Sequence, residues 1–132
     1  MDLIDDKYCF VCGTENNTGL QLTFNSSEGK TVSEFSIPKR FQGYKDVVHG
    51  GISSAILDEV MVHAAMSLGL FPVTAEMNVR FKAPLYVDRP LKAEAEVVNN
   101  GPRMIETSAR IIERESNKVL AEATGKLIPL KR

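Results

Sequence analysis

Residues 47–70 read VVHGGISSAILDEVMVHAAMSLGL, and the period of this stretch decides the architecture. From Gly51 to about Leu70, Ile52, Ala55, Ile56, Val60, Met61, Val62, Ala64, Ala65, Met66 and Leu68 cover most of the circumference of a helix rather than one stripe. Such a helix is expected to be buried nearly all round. Gly69 and Pro72 punctuate its end. At its start, Gly50 and Gly51 let the chain turn tightly and let a ligand approach the backbone. Two adjacent carboxylates, Asp58 and Glu59, stand where apolar side chains are otherwise the rule.

The flanking segments carry the other period. LQLTF (20–24) alternates as a half-buried strand does, and after the turn-forming NSSEGK comes TVSEFSI (31–37), stopped by Pro38, so the two read as a hairpin. Residues 38–50 have no clean period and read as a loop. Beyond the helix, Ala75, Met77, Val79 and Phe81 face one way, with Glu76, Asn78, Arg80 and Lys82 on the other side. The same alternation recurs at Leu91 to Val97, Ile105 to Ile111 and Val119 to Leu127, separated by NNGPR and ESNK turns. The order is strand, strand, helix, then four strands. One apolar helix and a sheet with one wet face are most simply satisfied when the sheet wraps around the helix, giving an α+β class.

A chain of 132 residues has the size of one domain, and 16 basic against 17 acidic residues make no electrostatic case for nucleic acid or an acidic membrane surface. The start, MDLIDDKYCF, lacks the basic and apolar regions of a secretory signal, so a cytoplasmic location is expected. Cys9 and Cys12, the only cysteines, form a C-x-x-C compatible with half a zinc site, a redox pair or a folded turn. Zinc normally takes four ligands, and neither a second C-x-x-C nor a nearby H-x-x-x-H is present, so the turn is the expected role and no metal is expected.

At the helix start, free N–H groups and the positive dipole end suit a carbonyl oxygen that becomes negative during reaction. Gly51 N–H is therefore a candidate oxyanion donor, with Gly50 and His49 beside it. Asp58, seven residues past Gly51, lies roughly 10 Å further along the axis, too far to touch a small reacting centre at its own helix N-terminus. A second chain with its helix antiparallel alongside repairs the gap, which implies a symmetric homodimer with two sites. Asp58 has small or apolar helical neighbours and is the expected base or reactive carboxylate, while Glu59 neighbours His63 at a spacing suited to a local pair.

VVHGGISSAILDE followed by VTAEMNVRFKAPLYVDRPL resembles the hotdog-fold acyl-CoA thioesterases of the PaaI-like group, in which His-Gly-Gly opens the central helix and an acidic residue lies nine positions after the His. CFVCGTENNTGLQLTF is similar to the opening of one branch of that family, with Asn17 in place of its usual proline. The resemblance implies a single hotdog domain over 1–132, with residues 1–19 packing on it, acting as an acyl-CoA thioesterase without cofactor. It implies Gly50 or Gly51 as oxyanion donor, Asp58 of the other subunit as base or nucleophile, His49 orienting the thioester and Thr74 holding the water. The family's substrate-positioning Asn or Gln falls on Gly43, with Gln42 beside it. Gln42, Glu59, Asn78, Arg80, Lys82 and Arg103 are the candidate substrate contacts. A homodimer, or a tetramer made of two such dimers, is expected. A hydratase or dehydratase on the same fold and a non-catalytic acyl-CoA binding module are the competing readings.

Overall fold

The computed structural model describes residues 3–130. The helix, α1, runs Gly50–Met66, and no residue from Ile52 to Ala65 is exposed. Ser53, Ile56, Leu57, Val60, Met61, Ala64 and Ala65 are buried and the remaining sides are half-buried, as a helix apolar on nearly all sides requires. It ends a turn earlier than the sequence period suggests. Ser67 Oγ donates to the Ala64 carbonyl at 2.7 Å, and Gly69 takes a left-handed φ of 80° that breaks the helical run.

Six strands form one antiparallel sheet: β1 (Asn25–Ser27), β2 (Lys30–Phe35), β3 (Pro72–Phe81), β4 (Leu91–Asn100), β5 (Ile105–Glu113) and β6 (Val119–Pro129), in the order β1-β2-β4-β5-β6-β3. This helix laid on one face of an antiparallel sheet is the hotdog fold. Ile56, Leu57, Val60 and Met61 pack into one core with Leu91, Ile111 and Leu120 and with five alanines of the sheet, Ala93, Ala95, Ala109, Ala121 and Ala123. The bulk therefore comes from the helix and the short side chains from the strands, which lets the two approach closely. At Gly125 the fit leaves no room at all. An added Cβ would lie 3.0 Å from both Met61 Sδ and Cε and 2.9 Å from Thr107 Oγ1, whose hydroxyl donates to the Gly125 carbonyl at 3.1 Å.

Two expectations are corrected. Leu20–Phe24 is not a strand. Gln21 adopts φ 53°, and the N–H groups of Leu20 and Leu22 donate to Phe10 and Val11 carbonyls at 2.8 Å, so this stretch pairs with the N-terminal segment instead of the sheet. Its alternation still reports burial, with Leu22 in the core and Gln21 and Thr23 exposed. In β3, a bulge between Thr74 and Glu76 makes Ala75 the extra residue. Ala75 is exposed, and Phe81, beyond the helix start, is 54% exposed. Neither joins Met77 and Val79 against the core.

β3 is bonded to β6 on one side and, among the described residues, has an open edge on the other. No helix of the described residues is long and apolar enough to cross a membrane.

Replacing Gly125 by valine should overpack the Met61 contact and destabilise the chain by about 1–3 kcal/mol, a fall of roughly 4–12 °C in Tm. Thermal unfolding followed by circular dichroism checks this; an unchanged Tm would mean that Met61 moves aside freely.

Candidate active site

The helix N-terminus is built by His49. Its carbonyl accepts from Ile52 N–H at 2.9 Å and Ser53 N–H at 3.1 Å, and its side-chain Nδ1 accepts from Gly51 N–H at 2.9 Å. The Gly51 N–H, a candidate oxyanion donor on sequence grounds, is thus used as the helix cap. Gly50 N–H, the other candidate, has no hydrogen-bond partner among the described residues. With Nδ1 accepting, the proton of the neutral imidazole is on Nε2, where it can be donated outward. Both His49 and Gly50 are exposed and line a cleft of about 760 Å³ together with Tyr44, Ser53, Phe81 and Leu85. A Cβ at 50 would lie 3.7 Å from the Phe81 ring, an ordinary van der Waals contact, so Phe81 forms the wall of the cleft beside this N–H without crowding it.

Asp58 is half-buried further along α1, and its Oδ1 accepts a 2.5 Å hydrogen bond from Thr74 Oγ1 on β3. The bulge at Ala75 makes that contact. Without the extra residue Thr74 would share a face with the exposed Glu76; with it, Thr74 is half-buried and pairs across with Leu127, which is in the core. Burial pushes the Asp58 carboxyl above the ordinary carboxylate range, the Thr74 hydroxyl pulls it part of the way back, and the neighbouring Glu59 charge adds to the rise. Asp58 remains roughly 10 Å along the axis from the Gly-Gly start, so one chain does not bring its own acid and helix N-terminus together.

Glu59, the adjacent carboxylate, meets the opposite surroundings. Cys9 Sγ donates to its Oε2 at 3.1 Å, and His63 Nε2 stands 3.5 Å from the same oxygen. Burial alone would raise this carboxyl, but hydrogen bonds from His63, Cys12 and Cys9 outweigh it and hold Glu59 below its ordinary value. Burial, followed by the Glu59 carboxylate, pushes the Cys12 thiol upward. Glu59 is therefore turned to the N-terminal segment and does not line the cleft.

Most other candidate contacts also fall outside the cleft. Gln42 Oε1 accepts from Asp46 N–H at 2.9 Å and so closes its own loop, whereas Gly43, the position next to it, lies against the His49 ring and lines the cleft. Asn78 and Arg80 are exposed on the sheet face away from the helix, alternating with the core-packed Met77 and Val79. Arg103 is exposed in the turn joining β4 to β5. Lys82 does line the cleft, paired with Glu122 at 3.4 Å. Tyr44, Ser53 and Phe81 were missed by sequence reasoning. Tyr44 lies in a loop with no period, and Ser53 and Phe81 looked like ordinary helix and strand positions.

The sequence pattern of the thioesterase superfamily matches residues 45–120. Mouse acyl-coenzyme A thioesterase THEM4 is 28% identical over 123 residues, covering 92% of this chain and 53% of the relative, so the chain spans about half of that protein's length. Among solved structures, a hypothetical thioesterase from Streptococcus pneumoniae TIGR4, determined with coenzyme A, superposes with a TM-score of 0.79 at 20% identity over 84% of this chain and 87% of the other. The E. coli PaaI protein gives 0.78 at 22% identity over 83% and 80%. At these identities the two structures speak for the fold. The sequence match, which takes in the His-Gly-Gly turn, all of α1 and β3 to the start of β6, places this chain in the thioesterase superfamily.

Proposed function

We propose that this protein is an acyl-CoA thioesterase, acting as a homodimer in which each site combines the helix N-terminus of one protomer with Asp58 of the other. The observation that carries the reading is the pairing of a half-buried, raised-pKa aspartate held by Thr74 with a capped helix N-terminus that leaves Gly50 N–H free at a largely apolar cleft. The mouse relative named as an acyl-coenzyme A thioesterase favours the substrate class. The open edge of β3 is the natural place for the second chain, because two such edges pairing antiparallel continue the sheet and set the two helices side by side in opposite directions.

In this reading the acyl group enters the cleft and its thioester carbonyl oxygen sits on Gly50 N–H, with the His49 Nε2–H as second donor. Water, held by Thr74 and Asp58, attacks the carbonyl carbon while Asp58 takes its proton. The tetrahedral oxyanion is stabilised by the two donors and the dipole end of α1. Collapse of the intermediate breaks the C–S bond, and coenzyme A departs as a thiolate, which is stable enough to leave without a dedicated acid. Asp58 then gives up its proton to solvent. The mostly apolar lining suits the acyl chain, and Lys82 at the rim is the cation available to a phosphate of coenzyme A.

Release of free coenzyme A, followed with a thiol reagent across short, medium, long and aromatic acyl-CoAs, should fall about 100-fold or more in Asp58→Asn. Undiminished turnover would remove Asp58 from the mechanism, and binding without turnover by the native protein would favour a non-catalytic module. Thr74→Ala removes a hydrogen bond that favours the ionised carboxylate, so the Asp58 pKa should rise further. The acidic limb of the kcat/KM profile then moves to higher pH, and a limb that stays in place would separate Thr74 from the base. Mixing inactive Asp58→Asn chains with inactive Gly50→Pro chains should restore about a quarter of native activity, since half of the dimers are then mixed and each holds one intact site. No recovery after exchange of protomers would place the whole site within one chain.

A further inference from the structure

Glu59 has no part in that reaction, yet it is kept inside the molecule beside two thiols. Cys9 Sγ, Cys12 Sγ and a Glu59 carboxylate oxygen all lie within 4.8 Å of one another. His63, one helical turn beyond Glu59 and so on the same face, brings Nε2 to 3.5 Å from Glu59 Oε2, while Cys9 Sγ is 3.1 Å from that oxygen. Donor atoms sharing one tetrahedral zinc at ordinary bond lengths stand roughly 3.3–3.8 Å apart. Two spacings of this cluster are already close to that range.

The cysteine turn is shaped to hold its sulfurs. Val11 N–H points at Cys9 Sγ at 3.4 Å, and Gly13 N–H closes onto the Cys9 carbonyl at 2.8 Å. A Cβ at residue 13 would lie 2.4 Å from the Cys9 nitrogen, so only glycine directly after Cys12 permits this closure. An N–H directed at a sulfur favours the thiolate that a metal requires. On the other side, the His63 ring is stacked on Phe24 with centroids 4.2 Å apart and planes 10° from parallel, which holds its orientation. The side chains of His63 and Glu59 are only 23% and 16% exposed.

We propose that Cys9, Cys12, Glu59 and His63 form a zinc site that clips the N-terminal segment onto α1. Cys9, Cys12 and Glu59 make the mutual cluster, and His63, with Nε2 3.5 Å from Glu59 Oε2, supplies the fourth donor by a slide of its ring along the face of Phe24 that keeps the stacked orientation. Two sulfurs and an imidazole nitrogen select zinc over magnesium or calcium, which prefer oxygen alone. On binding, both thiols release their protons to solvent, the sulfurs bond to the ion as thiolates, and nothing is oxidised or reduced. The two ligands that the C-x-x-C lacks in its own neighbourhood come from about 50 residues further on, as an E-x-x-x-H pair on the helix. The site has a structural use, because the N-terminal segment hydrogen-bonds largely to itself, through pairs such as Glu15 to Lys7, Leu20 to Phe10 and Leu22 to Val11. The Cys9–Glu59 hydrogen bond and the buried Val11 are among its few ties to the core.

The test is a cobalt titration of the full chain, stripped of metal by a chelator and kept reduced. One Co²⁺ per chain is expected, with a thiolate-to-cobalt charge-transfer band in the near ultraviolet and the strong visible bands of tetrahedral coordination, all abolished by one equivalent of Zn²⁺. Glu59→Gln, which keeps the side-chain volume, and Cys12→Ser should each weaken binding about 100-fold or more. In the native chain, one equivalent of Zn²⁺ should also shield both thiols from a thiol reagent, a readout that needs no variant to fold. Weak octahedral cobalt spectra, thiols that react at the same rate with and without Zn²⁺, or a Cys9–Cys12 disulfide forming in place of metal uptake would each overturn the proposal.

Discussion

Because Ala93, Ala95, Ala109, Ala121 and Ala123 each present only a methyl group to the helix, α1 can sink against the sheet until Ile56, Leu57, Val60 and Met61 fill the space between them. Each large side chain so enclosed contributes about 1.5–3 kcal/mol. The close approach has a consequence for everything polar on the helix: from Ile52 to Ala65 no side chain keeps full access to water. A carboxylate placed there must find a partner or hold its proton more tightly. The chemistry of the molecule is set by how each polar group on this helix is accommodated.

Asp58 and Glu59 show the two solutions, one residue apart. Their side chains leave the helix about 100° from each other, so one meets β3 and the other the N-terminal segment. Asp58 has a single hydroxyl partner, too little to offset burial, and its proton affinity rises. Glu59 has an imidazole and two thiols, enough to reverse the effect of burial. The first environment suits a group that exchanges a proton during a reaction. The second suits a carboxylate that stays charged and binds.

The rim of the sheet decides what can act on what. β1, at one edge, has three residues, while β3, at the other, has ten and is open along its length among the described residues. Long open edges invite another strand. Thr74, which holds Asp58, belongs to this same strand, and the bulge that turns it inward lies beside it. Assembly and the position of the acid are thereby linked through one element, and the distance from Asp58 to its own helix N-terminus makes a lone protomer insufficient for the proposed reaction.

Much of this was legible in the residues. The all-round apolar period of 51–70 required an enclosing sheet, the alternation of the later segments located four strands, and the seven residues from Gly51 to Asp58 placed an acid beyond reach of its own helix start. These features depend on spacing along one chain, which local geometry converts directly into direction. Other features did not follow from spacing. Leu20–Phe24 alternates like a strand but pairs with the N-terminal segment, and the one-residue bulge at Ala75 reverses which side Thr74 faces. The Gly51 N–H was available by sequence and is taken by the His49 ring in the fold. Glu59 and Cys9, 50 residues apart, meet only because the N-terminal segment lies across α1. Sequence by itself determined the helix, the strands beyond it and the type of each chemical group. Only the tertiary structure decided which groups meet and which donors stay free, because contacts between distant residues depend on register, burial and loop closure rather than on spacing along the chain.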